Sequence, residues 1–157
     1  DELQDETAVL AAKVTRPIYV LDSHCRIPQN AAILANPHAV VVCCNATSRK
    51  LPVTIEQVDA ASDGRVALAR FLQFLAQKDC NEVLFECGAT LAGALIRDGL
   101  ADELVIYVAP SLMGNDARSL LNLPEIDKMQ DLFQLTIREA RMVGQDIRLT
   151  AMPESRD

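Results

Sequence analysis

The stretch Glu82–Gly99, with the sequence EVLFECGATLAGALIRDG, decides the fold that we predict for this chain. It opens with a short apolar run between two glutamates, at residues 82–86, which is typical of a buried strand. Apolar side chains then recur at helical spacing from Ala89 to Asp98, and Gly99 stands where a helix would end. A strand that leads directly into a helix predicts an α/β architecture.

The residues before this stretch add strands and a helix to the prediction. Continuous apolar runs predict buried strands at residues 17–21 and 39–44, and a weaker pattern predicts an extended segment over residues 53–58. A helix should follow, with Ser62 or Asp63 as its cap. Its apolar stripe consists of Leu68, Phe71, Leu72 and Leu75.

The residues after the stretch predict an antiparallel end to the sheet. Residues 103–109 form another apolar run, which predicts a buried strand that Pro110 ends. Apolar and polar residues then alternate over 133–138 and 147–151, with a turn at residues 144–146, which predicts a hairpin with one solvated face. We therefore expect a mixed α/β sheet with flanking helices, in a single domain of residues 1–157.

Composition and charge narrow the classes of function. Half of the 157 residues are hydrophobic and no apolar run approaches the ~20 residues that span a bilayer, so neither disorder nor membrane insertion is expected. The formal net charge of −7 argues against general nucleic-acid binding, which needs a basic surface. The same charge repels a phosphate-bearing ligand, so any such ligand would depend on local hydrogen-bond donors.

The five cysteines and two histidines do not predict a metal site. The cysteines include no Cys-x-x-Cys pair, and neither His24 nor His38 has the spacing of a zinc ligand. We expect reduced, buried thiols in a cytoplasmic protein, and we interpret both histidines as loop residues.

The turn between the central strand and helix is the best candidate site for a ligand. Ligands of open α/β sheets bind beyond the carboxyl ends of the strands, against helix N-termini. Gly88 would let the backbone approach a ligand, and the following N–H groups, with the Thr90 hydroxyl, could bind an anion. Neither Gly-x-Gly-x-x-Gly nor a Walker sequence is present. The local chemistry therefore favours an anion site and a plain tight turn about equally.

The wider pattern resembles a known family. Three consecutive segments, ECGATLAGA at residues 86–94, GLADEL at 99–104 and PSLMGNDAR at 110–118, closely resemble the C-terminal half of the riboflavin-biosynthesis deaminase/reductase of the RibD type. Upstream, the RPIYVLDS segment at residues 16–23, followed by Arg26-Ile27, resembles the same family's Arg-Pro…Asp-Ser…Arg pattern. The resemblance covers nearly the whole chain in matching order.

The resemblance implies a dihydrofolate-reductase-like fold and NADPH-dependent reduction of the ribose of 5-amino-6-(5-phosphoribosylamino)uracil to the ribityl chain. It implies that Glu86 contacts the substrate near the reacting ribose and that Ser23 contacts NADPH, although Ser23 could instead close a turn after Asp22. It assigns no catalytic residue, and it makes a homo-oligomer plausible. The residues that would line the cofactor's phosphates are Gly88, Ala89, Thr90, Leu91, Ala92, Gly93 and Ala94.

Two further expectations concern cofactor preference and completeness. The 2′-phosphate of NADPH needs cationic partners, and residues 47–50 are the candidates, with a solvated loop as the competing interpretation. The family's zinc deaminase domain, with its His-x-Glu…Pro-Cys-x-x-Cys sequence, is absent, and the first elements of the reductase domain are expected to be missing. We therefore expect the chain not to turn over substrate alone. A reductase of another pyrimidine or pterin, and a catalytically silent binding or assembly fragment, are the alternatives.

Overall fold

The structure is a computed structural model that describes residues 16–123 and 128–154, and these residues form two compact units. The first unit ends at Asn81 and the second begins at Glu82. Each has its own three-stranded sheet, parallel in the first unit and antiparallel in the second. No helix among the described residues is both long and apolar enough to cross a membrane.

The first unit has a parallel sheet that confirms the strands predicted before Glu82. Its strands, in the spatial order β1-β2-β3, are β1 (Ile18–Leu21), β2 (Ala39–Cys43) and β3 (Thr54–Gln57). All of them run in the same direction, with Val41 of β2 lying between Val20 and Ile55. The residues that follow Leu21, Cys43 and Gln57 therefore meet at one edge of the sheet, which we call the carboxyl edge.

Both faces of this parallel sheet are covered, which explains the continuous apolar runs. Helix α1 (Leu68–Ala76) packs its aromatic side chains against Tyr19, whose ring lies 6.0 Å from the ring of Phe71 and 6.0 Å from that of Phe74. The opposite face forms a cluster of buried side chains, consisting of Cys25, Leu34, Val41 and Cys43. Burial on both faces fixes the sheet and with it the loops at its carboxyl edge.

The predicted cap of α1 is wrong. The helix begins after Ala67 and has no side-chain cap, so neither Ser62 nor Asp63 takes that place. Asp63 instead accepts the Arg65 N–H at 3.0 Å, in a turn that precedes the helix. Short polar side chains bond to nearby backbone groups in this way in turns as well as at helix ends, and the sequence does not distinguish the two.

The second unit confirms the central helix and the terminal hairpin. Its elements are α2 (Ala89–Arg97), β4 (Leu104–Val108), β5 (Leu135–Val143) and β6 (Asp146–Pro153). The antiparallel strands lie in the order β4-β6-β5, and Gly144 takes a φ of +63° in the tight turn that joins β5 to β6. Gly99, with a φ of +64°, ends α2 as predicted.

Three predictions about the second unit are wrong. Residues 82–86 form no strand, and Leu84 is 80% exposed. β4 is not buried, since Tyr107 is 57% exposed, and the hairpin strand β5 is exposed on both faces rather than one. A buried strand needs backbone partners along its edges and other elements packed on its faces, and the sequence pattern of one segment shows neither. Within the described residues, β4 pairs with β6 alone and forms an edge of its sheet.

Candidate functional site

Gly88 stands immediately before α2 in a conformation that does not require glycine. Its φ of −83° and ψ of 173° are ordinary extended values, and a Cβ added there would meet no atom of the described residues within 4 Å. Neither backbone strain nor packing in the part of the chain that the structure describes therefore explains the glycine, so a purely steric tight turn does not account for it. What remains is open space above the backbone at the start of a helix.

The first turn of α2 is suited to an anion. No side chain caps the helix, and its geometry leaves the first N–H groups without an acceptor of their own. The Thr90 side chain is exposed beside them. The helix dipole adds a partial positive charge at this end, which is the local attraction that a chain of net charge −7 needs for a phosphate.

The second turn of α2 is held by a neighbouring loop. Gly93 is buried, and a Cβ there would stand 2.1 Å from the backbone oxygen of Asn122. Asn122 also donates its backbone N–H to the Ala89 carbonyl at 3.0 Å and its side-chain Nδ2 to Thr90 Oγ1 at 3.0 Å. Of the predicted phosphate-lining residues, Gly93 therefore faces the protein, while Gly88 and Thr90 are exposed.

Asn122 is the residue that the sequence analysis missed. An asparagine in a loop is usually a turn residue, so the type alone gives no signal. The available signal was Gly93, because a glycine inside a helix costs stability relative to alanine and indicates a close approach by another segment.

Glu86 lies two residues before the helix cap, in the irregular segment that replaces the predicted strand. Its side chain is exposed and does not cap α2. An exposed carboxylate next to a helix N-terminus can accept hydrogen bonds from hydroxyl groups of a ligand.

Ser23 lies at the carboxyl edge of the first unit and joins three segments. Its hydroxyl oxygen accepts the Val66 N–H at 3.1 Å, and its carbonyl accepts the Cys44 N–H at 3.2 Å. Asp22 closes the local turn, since its carboxylate accepts the Ile27 N–H at 2.6 Å. Ser23 is thus more than a turn residue, and its hydroxyl hydrogen remains available for a ligand.

The basic loop at residues 47–50 lies at the same edge. The Arg49 guanidinium donates to the Cys25 carbonyl and is half-buried, whereas Lys50 is exposed. Cys25 has a φ of +50°, a left-handed conformation uncommon for a residue with a side chain. Arg49 therefore stabilises an unusual turn, and Lys50 has the freer charge of the two.

The cysteines are unpaired, and three of them are buried as expected, namely Cys25, Cys43 and Cys44. Burial, reinforced by the nearby Cys25, raises the pKa of the Cys43 thiol. Cys87 is exposed, which corrects the prediction that all the thiols are buried. Among the described residues, no group of three or more His, Cys, Asp or Glu side chains is placed to hold a metal ion.

The candidate residues thus lie in two groups. Glu86 and residues 88–94 belong to the second unit, around the start of α2. Ser23 and residues 47–50 belong to the first unit, at the carboxyl edge of its sheet.

Comparison with known proteins finds one family model, described as the RibD C-terminal domain, that matches residues 3–149. The riboflavin biosynthesis protein RibD of Escherichia coli is 35% identical over 151 residues, which are 93% of this chain and 41% of that protein. The 5-amino-6-(5-phosphoribosylamino)uracil reductase of Buchnera aphidicola from Acyrthosiphon pisum is 28% identical over 137 residues, covering 86% of this chain and 66% of that protein.

Among solved structures, RibD of Acinetobacter baumannii is similar, with a TM-score of 0.73 and 32% identity over 87% of this chain and 37% of that one. This likeness confirms the predicted dihydrofolate-reductase-like mixed α/β fold. The chain spans about two fifths of the length of the RibD proteins it matches.

Proposed function

This chain belongs to the RibD C-terminal domain family, and we propose on that basis that it is an NADPH-dependent reductase of riboflavin synthesis. Its substrate would be the small molecule 5-amino-6-(5-phosphoribosylamino)uracil, the ribose of which is reduced to the ribityl chain. The Buchnera relative carries the name of this reductase. Location in the cytoplasm is part of the same proposal, and the five unpaired thiols support it.

The observation that carries the proposal is the open space above the backbone of Gly88. A glycine that neither conformation nor packing requires, at the start of an uncapped helix, fits a backbone that must approach a ligand's phosphate. The backbone N–H groups of the first turn and the Thr90 hydroxyl are hydrogen-bond donors, and this donor set suits a diphosphate.

Bound NADPH would supply the hydride, and the chain's own residues bind and orient. The first turn of α2, from Ala89 to Leu91, would hold the diphosphate through backbone N–H groups and the helix dipole. Ser23 would donate its hydroxyl hydrogen to the nucleotide. Glu86 would accept hydrogen bonds from hydroxyl groups of the substrate and so position its ribose for reduction. Gly93 supports this arrangement indirectly, because the backbone of Asn122 packs against it where a side chain would otherwise stand.

Titration with NADPH tests the proposal. We expect saturable binding by calorimetry or nicotinamide fluorescence, and consumption of NADPH by the full-length protein when the ribosylaminouracil phosphate is added. Absence of saturable binding would refute the reductase and favour a binding or assembly module. Binding of NADPH without turnover of this substrate, but with turnover of another pyrimidine or a pterin, would correct the substrate and leave the reductase in place.

We further propose that Lys50 and Arg49 recognise the 2′-phosphate of NADPH. Changing Lys50→Ala should raise KM for NADPH about 5- to 10-fold, because an exposed charge-assisted hydrogen bond contributes about 1 kcal/mol. KM for NADH should change less than about 2-fold, since NADH has no 2′-phosphate. The double variant Lys50→Ala/Arg49→Ala should raise KM for NADPH further, although removal of Arg49 also releases the Cys25 turn. Arg70→Ala, which removes an exposed cation on α1, is the control. An equal rise of KM for both nucleotides would contradict the assignment.

A further inference from the structure

The loop that follows β4 contacts one side of α2 through Asn122. Its backbone N–H donates to the Ala89 carbonyl at 3.0 Å, and its backbone oxygen fills the place where a side chain on Gly93 would stand. Residues 89 and 93 are one helical turn apart and share a face. The backbone of Asn122 therefore contacts α2 independently of the Asn122 side chain.

The side chain of Asn122 makes two further hydrogen bonds with a defined direction. The Ser119 hydroxyl donates to Asn122 Oδ1 at 2.6 Å, a distance typical of O–H···O and short for N–H···O. This separation fixes the amide orientation, so that Nδ2 points to Thr90 Oγ1 and donates to it at 3.0 Å. The chain of donors thus runs from Ser119 through Asn122 to Thr90.

The direction matters because a hydroxyl has a single hydrogen. Thr90 already accepts from Asn122, so its own hydrogen is not needed for that contact and can be donated to another acceptor. Thr90 is exposed, and it is the second residue of α2, beside the open space above Gly88.

We propose that Asn122 is a positioning residue that commits the Thr90 hydroxyl to donate to a phosphate oxygen of the bound nucleotide. This inference rests on the proposed function, in which the first turn of α2 binds the diphosphate of NADPH. Asn122 itself does not touch the nucleotide. It acts by presenting an N–H to Thr90. Because the hydroxyl accepts this hydrogen bond from the protein, it does not donate its own hydrogen to the protein.

A double-mutant cycle on NADPH affinity tests the proposal. Thr90→Val removes the hydroxyl with little change in shape and should raise Kd about 10-fold. Asn122→Ala removes the amide while it keeps the backbone contacts, and should raise Kd about 3- to 5-fold. The double variant should bind no more weakly than Thr90→Val alone, because Asn122 acts only through the hydroxyl. Additive effects of the two changes would overturn the proposal.

The isosteric Asn122→Asp variant provides a second measurement. A carboxylate only accepts, so it would take the Thr90 hydrogen and withdraw it from the phosphate. When Thr90 is unchanged, we expect Asn122→Asp to raise Kd more than Asn122→Ala does. When Thr90 is changed to Val, the difference in Kd between these two variants should be clearly smaller. Equal differences in both backgrounds would contradict the proposal.

The controls separate this inference from the proposed function. Thr90→Ser restores a hydroxyl and should therefore recover most of the affinity that Thr90→Val loses. Asn115→Ala alters another exposed asparagine of the same loop and should bind within about 2-fold of the unchanged chain. Failure of the unchanged chain to bind NADPH would refute the proposed function and this inference with it. Normal binding with unaltered affinity in the Asn122 variants would overturn this inference alone.

Discussion

Gly93→Ala is expected to destabilise the second unit by about 3 kcal/mol or more, the upper end of the usual cost of overpacking. The added Cβ would stand 2.1 Å from the backbone oxygen of Asn122 and 2.7 Å from its backbone carbon. Backbone atoms cannot rotate away as a flexible side chain can, so the loop must leave α2 or the helix must shift. A loss of this size corresponds to a fall in Tm of about 6–12 °C for a chain of this length, which thermal unfolding by circular dichroism would measure.

Gly88→Ala is the matched control for that experiment. It adds the same methyl group five positions earlier, where the backbone is ordinary and no atom of the residues that the structure describes would lie within 4 Å of it. Its Tm should therefore stay close to that of the unchanged chain. Equal losses of Tm in the two variants would contradict the close approach of Asn122 to Gly93.

Glu86→Gln is expected to lower kcat/KM for the pyrimidine substrate about 10- to 100-fold in the full-length protein. The amide keeps the shape of the side chain and removes the charge, and a hydrogen bond to a charged group is worth about 1.5–3 kcal/mol. Kd for NADPH should change less than about 2-fold if Glu86 contacts the substrate rather than the cofactor. Steady-state kinetics and a separate NADPH titration would measure the two quantities.

Glu82→Gln is the control for Glu86, because it changes another exposed glutamate of the same irregular segment. It should leave both quantities near their original values. If Glu86→Gln weakened NADPH binding as much as it lowered kcat/KM, the residue would belong to the cofactor site instead.

The local elements of the fold were predictable because their signals lie within short stretches. The strands around residues 18–21 and 39–43 are continuous apolar runs, and the helix at 89–97 has both an apolar stripe and a terminal glycine. The hairpin of β5 and β6 was predictable from alternation around a turn that contains Gly144.

The wrong predictions concern interactions between distant segments. Residues 82–86 have the composition of a buried strand, but a strand also needs backbone partners, and a sequence pattern does not reveal which segments provide them. The same reason applies to the exposure of Tyr107 in β4. The prediction of the α1 cap was wrong by only a few residues, because Asp63 stabilises a turn just before the helix.

In the candidate site, too, local features were predictable from sequence and contacts between distant segments were not. Gly88 and Thr90 could be singled out from sequence because a glycine and a hydroxyl at the start of a helix are local features. Whether Gly88 is a steric necessity depends on its backbone angles and neighbours, which only coordinates provide. The role of Asn122 depends on a contact with a helix about thirty residues earlier in the chain. The residues around Asn122 therefore contain no pattern that predicts this role. The assignments of Ser23, Glu86 and residues 88–94 to ligands stay predictions.

The uneven exposure of the thiols has a practical consequence. Cys87 is exposed next to Gly88, whereas Cys25, Cys43 and Cys44 are buried and Cys80 is half-buried. Desolvation of the sulfur raises the pKa of Cys87, so alkylation is favoured in mildly alkaline buffer. An environment-sensitive fluorophore coupled there would sit beside the space where the nucleotide is proposed to bind. The chain thus contains a natural attachment point for a spectroscopic reporter, and no cysteine needs to be engineered into it.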